Sequence, residues 1–203
     1  MTKITPPLIL LLLAGLLTAC GPDGLEDEIH REWRAVLELK KEFQQAPDAK
    51  RAVARQAWAS ALLEFTNRYP EHSRAHRAYK ELELDFARLL ASRGRYDEAV
   101  RYYRVVLDDD PAHEQARAEL ELAERRRFVT ADAIASLRRG MGKVDVSERI
   151  GVPAPGWSRR LDRDGTTIES WYYRRRDGGV AGVFFRNGEL FAAEFDRPMN
   201  TGG

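Results

Sequence analysis

The sequence predicts an α+β protein of two domains, an antiparallel helical array followed by a small module of two helices and a three-stranded antiparallel sheet. Two observations carry this. From Leu25 to Ala123 apolar residues recur at helical spacing in five stripes, broken near Pro47, Pro70, Gly94 and Pro111. After Arg125-Arg126-Arg127 the period changes, and from Ile168 runs of aromatic and β-branched residues alternate with Asp177-Gly178-Gly179 and Asn187-Gly188.

The amino terminus reads as an export signal over residues 1–19. Lys3 precedes an apolar run from Leu8 to Leu17 that is too short to span a bilayer comfortably. Leu17-Thr18-Ala19-Cys20 resembles the bacterial lipobox, which implies cleavage before Cys20, lipidation of its thiol and a stable membrane anchor. The membrane, reached through Cys20, is thus the first expected partner. Residues 20–24 are expected to form a short tether. The enterobacterial retention signal, Asp directly after the cysteine, is replaced by Gly21, so the resemblance implies the outer membrane, with the chain facing the periplasm.

Composition narrows the partners. Lys3 is the one charge before Cys20, so the remainder balances 32 basic against 32 acidic residues and has no long-range pull on nucleic acid. Nucleic acid is therefore not an expected partner. Cys20 is the single cysteine, and an exported chain without a disulfide must fold by burying apolar surface.

The helical domain is expected over residues 25–128. Its first stripe is Leu25, Ile29, Trp33, Val36, Leu37 and Phe43, and its second is Ala54, Ala57, Trp58, Ala61, Leu62 and Phe65. A third stripe runs from Ala75 to Leu90 and a fourth from Tyr96 to Leu107. The fifth, Ala112, Ala116, Leu120 and Ala123, has small, sparse apolar positions suited to closing an array. Across the third and fourth stripes, Phe86-Ala87, Leu90, Gly94, Tyr96, Ala99, Tyr103 and Pro111 resemble a tetratricopeptide repeat, with Glu83 at the family's usual Trp position. The alanines allow close helix approach, and the glycine makes the turn.

The second domain is expected over residues 129–196, with a disordered tail at 197–203. Thr130 caps a short helix ended by Gly140, and a second helix runs from Lys143 to Ile150. Strands follow at Ile168 to Arg175, Val180 to Phe185 and Glu189 to Phe195. Gly140-Met141-Gly142-Lys143-Val144-Asp145-Val146-Ser147-Glu148-Arg149-Ile150-Gly151-Val152-Pro153 resembles the Gly-Met-Thr-x-x-x-Val-x-x-x-Leu-Gly-x-Pro signature of the BamE (SmpA/OmlA) family. Trp171, Tyr173, Phe185 and Asn187-Gly188-x-Leu190 fit the same family's sheet. The resemblance implies an outer-membrane lipoprotein.

No motif points to catalysis, so no enzyme activity, cofactor or metal site is expected. His72 and His76 stand one helical turn apart without a nearby third ligand and read as a solvated helix face. Asp108-Asp109-Asp110 reads as turn material before Pro111. Arg174-Arg175-Arg176 beside Tyr172 and Tyr173 reads as a charged strand end, with a phosphate or headgroup contact as the alternative. A two-residue Asn187-Gly188 loop predicts that Phe185 pairs with Leu190 and Phe184 with Phe191, so Phe185 and Leu190 share a face, which the family resemblance implies is the one against the helices. A three-residue loop at Asp177-Gly178-Gly179 adds Trp171 and Tyr173 to that face, whereas an even-numbered loop puts them opposite. Phe184, Phe191, Val180 and Phe195 then fall on the opposite face, to be covered by the helical array or by a partner. Phe184, Phe191, Tyr172 and Arg174 are the candidate protein-binding residues. The expected function is a periplasm-facing scaffold or adaptor lipoprotein in envelope assembly that binds other envelope proteins. Alternatives are inhibition of a periplasmic enzyme through the second domain and, less favoured, an enzyme of cell-wall glycan.

Overall fold

In a computed structural model, residues 22–197 are described, and the chain divides into two compact units, Met1–His72 and Ser73–Gly203. The export signal expected over 1–19, the lipidation expected at Cys20 and the expected tail beyond 197 fall outside the described residues. The architecture is a helical array followed by a four-stranded antiparallel sheet. No helix among the described residues is long and apolar enough to cross a membrane.

The first unit is a helical hairpin. α1 (Pro22–Gln45) starts at a proline, whose fixed φ suits a first turn, so helix begins within the expected tether. Ala46-Pro47 turns the chain into α2 (Asp48–Arg68). The helices close on Val36, Trp58, Leu62 and Phe65. Phe43 stacks on Trp58 at 5.6 Å, and Trp33 meets Phe65 at 5.3 Å. Arg68 adds ion pairs to Glu32 at 2.6 Å and Glu64 at 3.1 Å. Leu25 and Leu37, expected in the first apolar stripe, are instead 52% and 42% exposed. A two-helix contact buries a seam narrower than the stripe the sequence presents.

The second unit opens with α3 (Ser73–Ser92), α4 (Tyr96–Asp109) and α5 (Glu114–Arg126). Ala87, Ala99 and Ala116 are fully buried, so the three helices approach closely around Leu84, Leu90, Tyr96, Val100, Tyr103 and Val106. α6 (Ala131–Ala135) is capped by Thr130, whose Oγ1 accepts from Ala133 N at 3.2 Å. It ends before Leu137, shorter than the sequence suggests. At α7 (Lys143–Ile150), Gly142 offers no side chain, and Asp145 Oδ2 accepts from Gly142 N at 2.9 Å.

β1 (Ser158–Arg163), β2 (Thr166–Arg174), β3 (Val180–Arg186) and β4 (Glu189–Arg197) form a meander in that order. The expected three strands are corrected to four. β1 escapes a pattern reading because Ser-Arg-Arg-Leu-Asp-Arg is exposed throughout and shows no apolar alternation. Its pairing with β2 turns on Asp164-Gly165, both at positive φ.

The core face behaves as expected, since Trp171, Tyr173, Val183, Phe185 and Leu190 pack with Val129, Ile134, Val146 and Ile150. The register of β4 needs a correction. Phe185 pairs with Leu190, but Phe184 pairs with Ala192 and Val183 with Ala193, leaving Phe191 in a bulge. One extra residue reverses the alternation beyond it, so Phe195 joins the core face instead of the opposite one. Arg197, expected in a tail, is the last residue of β4.

Candidate functional site

Where α4 and α5 meet the sheet module, two backbone turns interlock. Gly94, at φ 73, makes the turn into α4, and a Cβ added there would stand 2.3 Å from the Pro153 carbonyl oxygen. Only a glycine satisfies both the left-handed backbone and that approach. Opposite it, Tyr96 at the start of α4 accepts a hydrogen bond on its hydroxyl from Val152 N at 2.9 Å. Gly151 sits at φ 85, with the position of an added Cβ only 2.4 Å from the Tyr96 Oη. Tyr173 on β2 donates its hydroxyl to the Gly151 carbonyl at 3.0 Å. Burial raises both phenols, Tyr96 against the opposing hydrogen bond from Val152 and Tyr173 with a small addition from Tyr96. Both stay neutral at ordinary pH and act as hydrogen-bonding pegs. The crevice between them holds about 20 Å³, room for little more than one water.

At the rim of this joint the chain gathers arginines. Asp97 in the first turn of α4 accepts from Arg127 Nε at 2.6 Å through one carboxylate oxygen and from Arg174 through the other. Burial alone would raise the Asp97 carboxyl, but the hydrogen bonds and charges of Arg174 and Arg127 outweigh it and hold it below its ordinary value. Phe128 stands among three guanidiniums: those of Arg127, Arg174 and Arg176 lie 5.5, 5.5 and 5.6 Å from its ring centroid. Arg126 donates to the Glu148 carbonyl at 2.8 Å, and its buried Nε has no hydrogen-bond partner among the described residues.

The candidate protein-binding residues fall beside this cluster. Tyr172 and Arg174 are two apart on β2 and share the sheet face away from the core. Tyr172 to Phe184 and Phe184 to Phe191 are each 6.3 Å between ring centroids, so the rings form one row across β2, β3 and β4. Phe184 is 7% exposed, while Tyr172 and Phe191 are half-buried at the row's ends. Arg186 stacks over Phe191 at 4.9 Å.

The arginine triplet that reads in sequence as one charged strand end has three separate settings. Arg174 bonds Asp97, and Arg176 faces Phe128. Arg175 turns the other way, over Phe195 at 4.2 Å, and pairs with Asp177 and Asp196. Asp97, Arg127 and Phe128 were not legible as part of a site, and Arg176 was legible only within the charged strand end with its alternative of a phosphate or headgroup contact. The available signal was two arginine triplets, Arg125–Arg127 and Arg174–Arg176, the first followed directly by an aromatic residue.

The other sequence candidates have structural settings. His72 lies against Trp33 and Phe65 at 4.9 and 5.0 Å. Asp109 pairs with Lys80 at 2.5 Å, and Asp110 accepts from Ala112 N at 3.3 Å. Among the described residues no group of His, Cys, Asp and Glu is placed to hold a metal ion.

No family model, curated protein or solved structure matches the chain.

Proposed function

We propose that the chain is a lipid-anchored adaptor of the bacterial envelope, held at the outer membrane through Cys20 and binding another envelope protein through the module that ends it. The observation that carries the adaptor reading is the ring row Tyr172, Phe184 and Phe191. It lies on the sheet face opposite the filled core and is half-buried at both ends. A sheet face meant only for water has no need of three adjacent aromatic side chains. The lipobox-like Leu17-Thr18-Ala19-Cys20 supports the anchor. The tetratricopeptide-like residues of α3 and α4 and the BamE-like run Gly140 to Pro153 support a place among envelope scaffolds. In this reading the interlock at Gly94, Tyr96 and Gly151 holds the α3–α5 helices and the sheet module in one orientation, so a partner meets a single preformed surface.

Cys20→Ser tests the anchor. The variant is expected to leave the membrane fraction after a carbonate wash, whereas the unaltered chain floats with outer-membrane density on a sucrose gradient. A variant that still floats, or an unaltered chain at inner-membrane density, contradicts the proposed location.

A further inference from the structure

We infer that the partner segment received by this surface is acidic: it sets carboxylates against Arg127, Arg174 and Arg176 around Phe128 and apolar side chains against Tyr172 and Phe191, the half-buried ends of the ring row whose centre, Phe184, is buried. The inference rests on the adaptor reading and gives the partner's chemistry. Four arginines, Arg126, Arg127, Arg174 and Arg176, gather at this rim, and Asp97 pairs with two of them, Arg127 and Arg174, while Arg126 donates to the Glu148 carbonyl and Arg176 faces the Phe128 ring. Among the described residues no carboxylate pairs with Arg126 or Arg176. Arg175, between two members of the cluster, contrasts with them, because Asp177 and Asp196 neutralise it.

Asp97 also displays the geometry a ligand would repeat. One carboxylate spans two guanidiniums, one oxygen to each, beside the Phe128 ring. Arg176 continues that arrangement outward with an exposed side chain. A free anion would use the arginines alone. The ring row begins at Tyr172, on the same face as Arg174 and two residues from it, so the surface as a whole fits a peptide with both chemistries.

The test uses the full chain in a non-ionic detergent and a fluorescein-labelled octapeptide of alternating glutamate and leucine. Binding is expected to weaken as salt rises, and Arg176→Glu should weaken it at least about tenfold. Arg176 is exposed and its cation faces the Phe128 ring, with no ion pair to a carboxylate among the described residues, so the thermal midpoint of that variant should match the unaltered chain. A lysine and leucine octapeptide should not bind. Equal binding by Arg176→Glu, equal binding of the lysine peptide, or displacement of the glutamate peptide by equimolar inorganic phosphate overturns the inference. Crosslinks from Phe191 to an envelope protein, with no binding of the glutamate peptide, overturn the acidic ligand and leave the adaptor reading standing. Arg176-dependent binding without such crosslinks does the reverse.

Discussion

Gly94→Ala is expected to lower the thermal midpoint by about 10 °C. The left-handed backbone at φ 73 costs an L-residue about 1 to 2 kcal/mol. The added Cβ, 2.3 Å from the Pro153 carbonyl oxygen, also forces the two turns apart. Its obstacle is backbone, which cannot rotate away as a side chain can, and overpacking of this kind costs roughly a further 1 to 3 kcal/mol. A total near 3 kcal/mol, at roughly 2 to 4 °C per kcal/mol, gives the stated fall. Gly165→Ala supplies the comparison, since φ is 74 there and nothing lies within 4 Å of the added carbon. It should show the backbone cost alone. Differential scanning calorimetry of the two variants checks this, and equal midpoints would mean that the Gly94 and Pro153 contact constrains nothing.

Asp97→Asn is expected to cost about 2 kcal/mol at pH 7, the scale of a hydrogen bond to a charged group, reduced because the carboxylate is one-third exposed. It removes the one negative charge that Arg127 and Arg174 share. The cost should depend on pH in a defined sense. The folded chain holds the Asp97 carboxyl below its ordinary 3.8, so the stability it contributes is complete above that value and is lost as pH falls through the lowered one. Urea denaturation curves of the two chains should therefore stand apart at neutral pH and converge as the pH falls through the lowered titration of Asp97. A gap unchanged by acid, or none at pH 7, would show that the ionised carboxylate does not stabilise the joint.

Much of the fold was written locally and could be read locally. The breaks at Pro47, Pro70, Gly94 and Pro111 separate helices whose buried faces follow the apolar spacing, and Asn187-Gly188 set the pairing of Phe185 with Leu190. Failures arose where a residue's role is set by something distant. Gly94 reads as a turn and Gly151-Val152-Pro153 as the end of a helix signature; that the two meet through Tyr96 is a tertiary fact with no local period. The Phe191 bulge adds one residue without changing composition, so strict alternation placed Phe195 on the wrong face. Arg125-Arg126-Arg127 marked a change of pattern, yet Arg126 and Arg127 line the joint itself, next to an acid 30 positions earlier in the chain. The aromatic row was partly legible: Phe184 and Phe191 were placed on the correct face, although they do not pair as drawn.

The central claim is that a tethered chain presents the Tyr172, Phe184 and Phe191 face to an envelope protein. Its most direct test is a photoreactive amino acid placed at Phe191 in the living cell, with the adduct identified by mass spectrometry. The account predicts a discrete adduct with a subunit of the envelope-assembly machinery, lost when Cys20→Ser releases the chain. The same photoreactive residue at Val53, 74% exposed on α2, serves as a reference. Adducts from Val53 but none from Phe191, or an adduct from Phe191 to a soluble periplasmic enzyme, would contradict it.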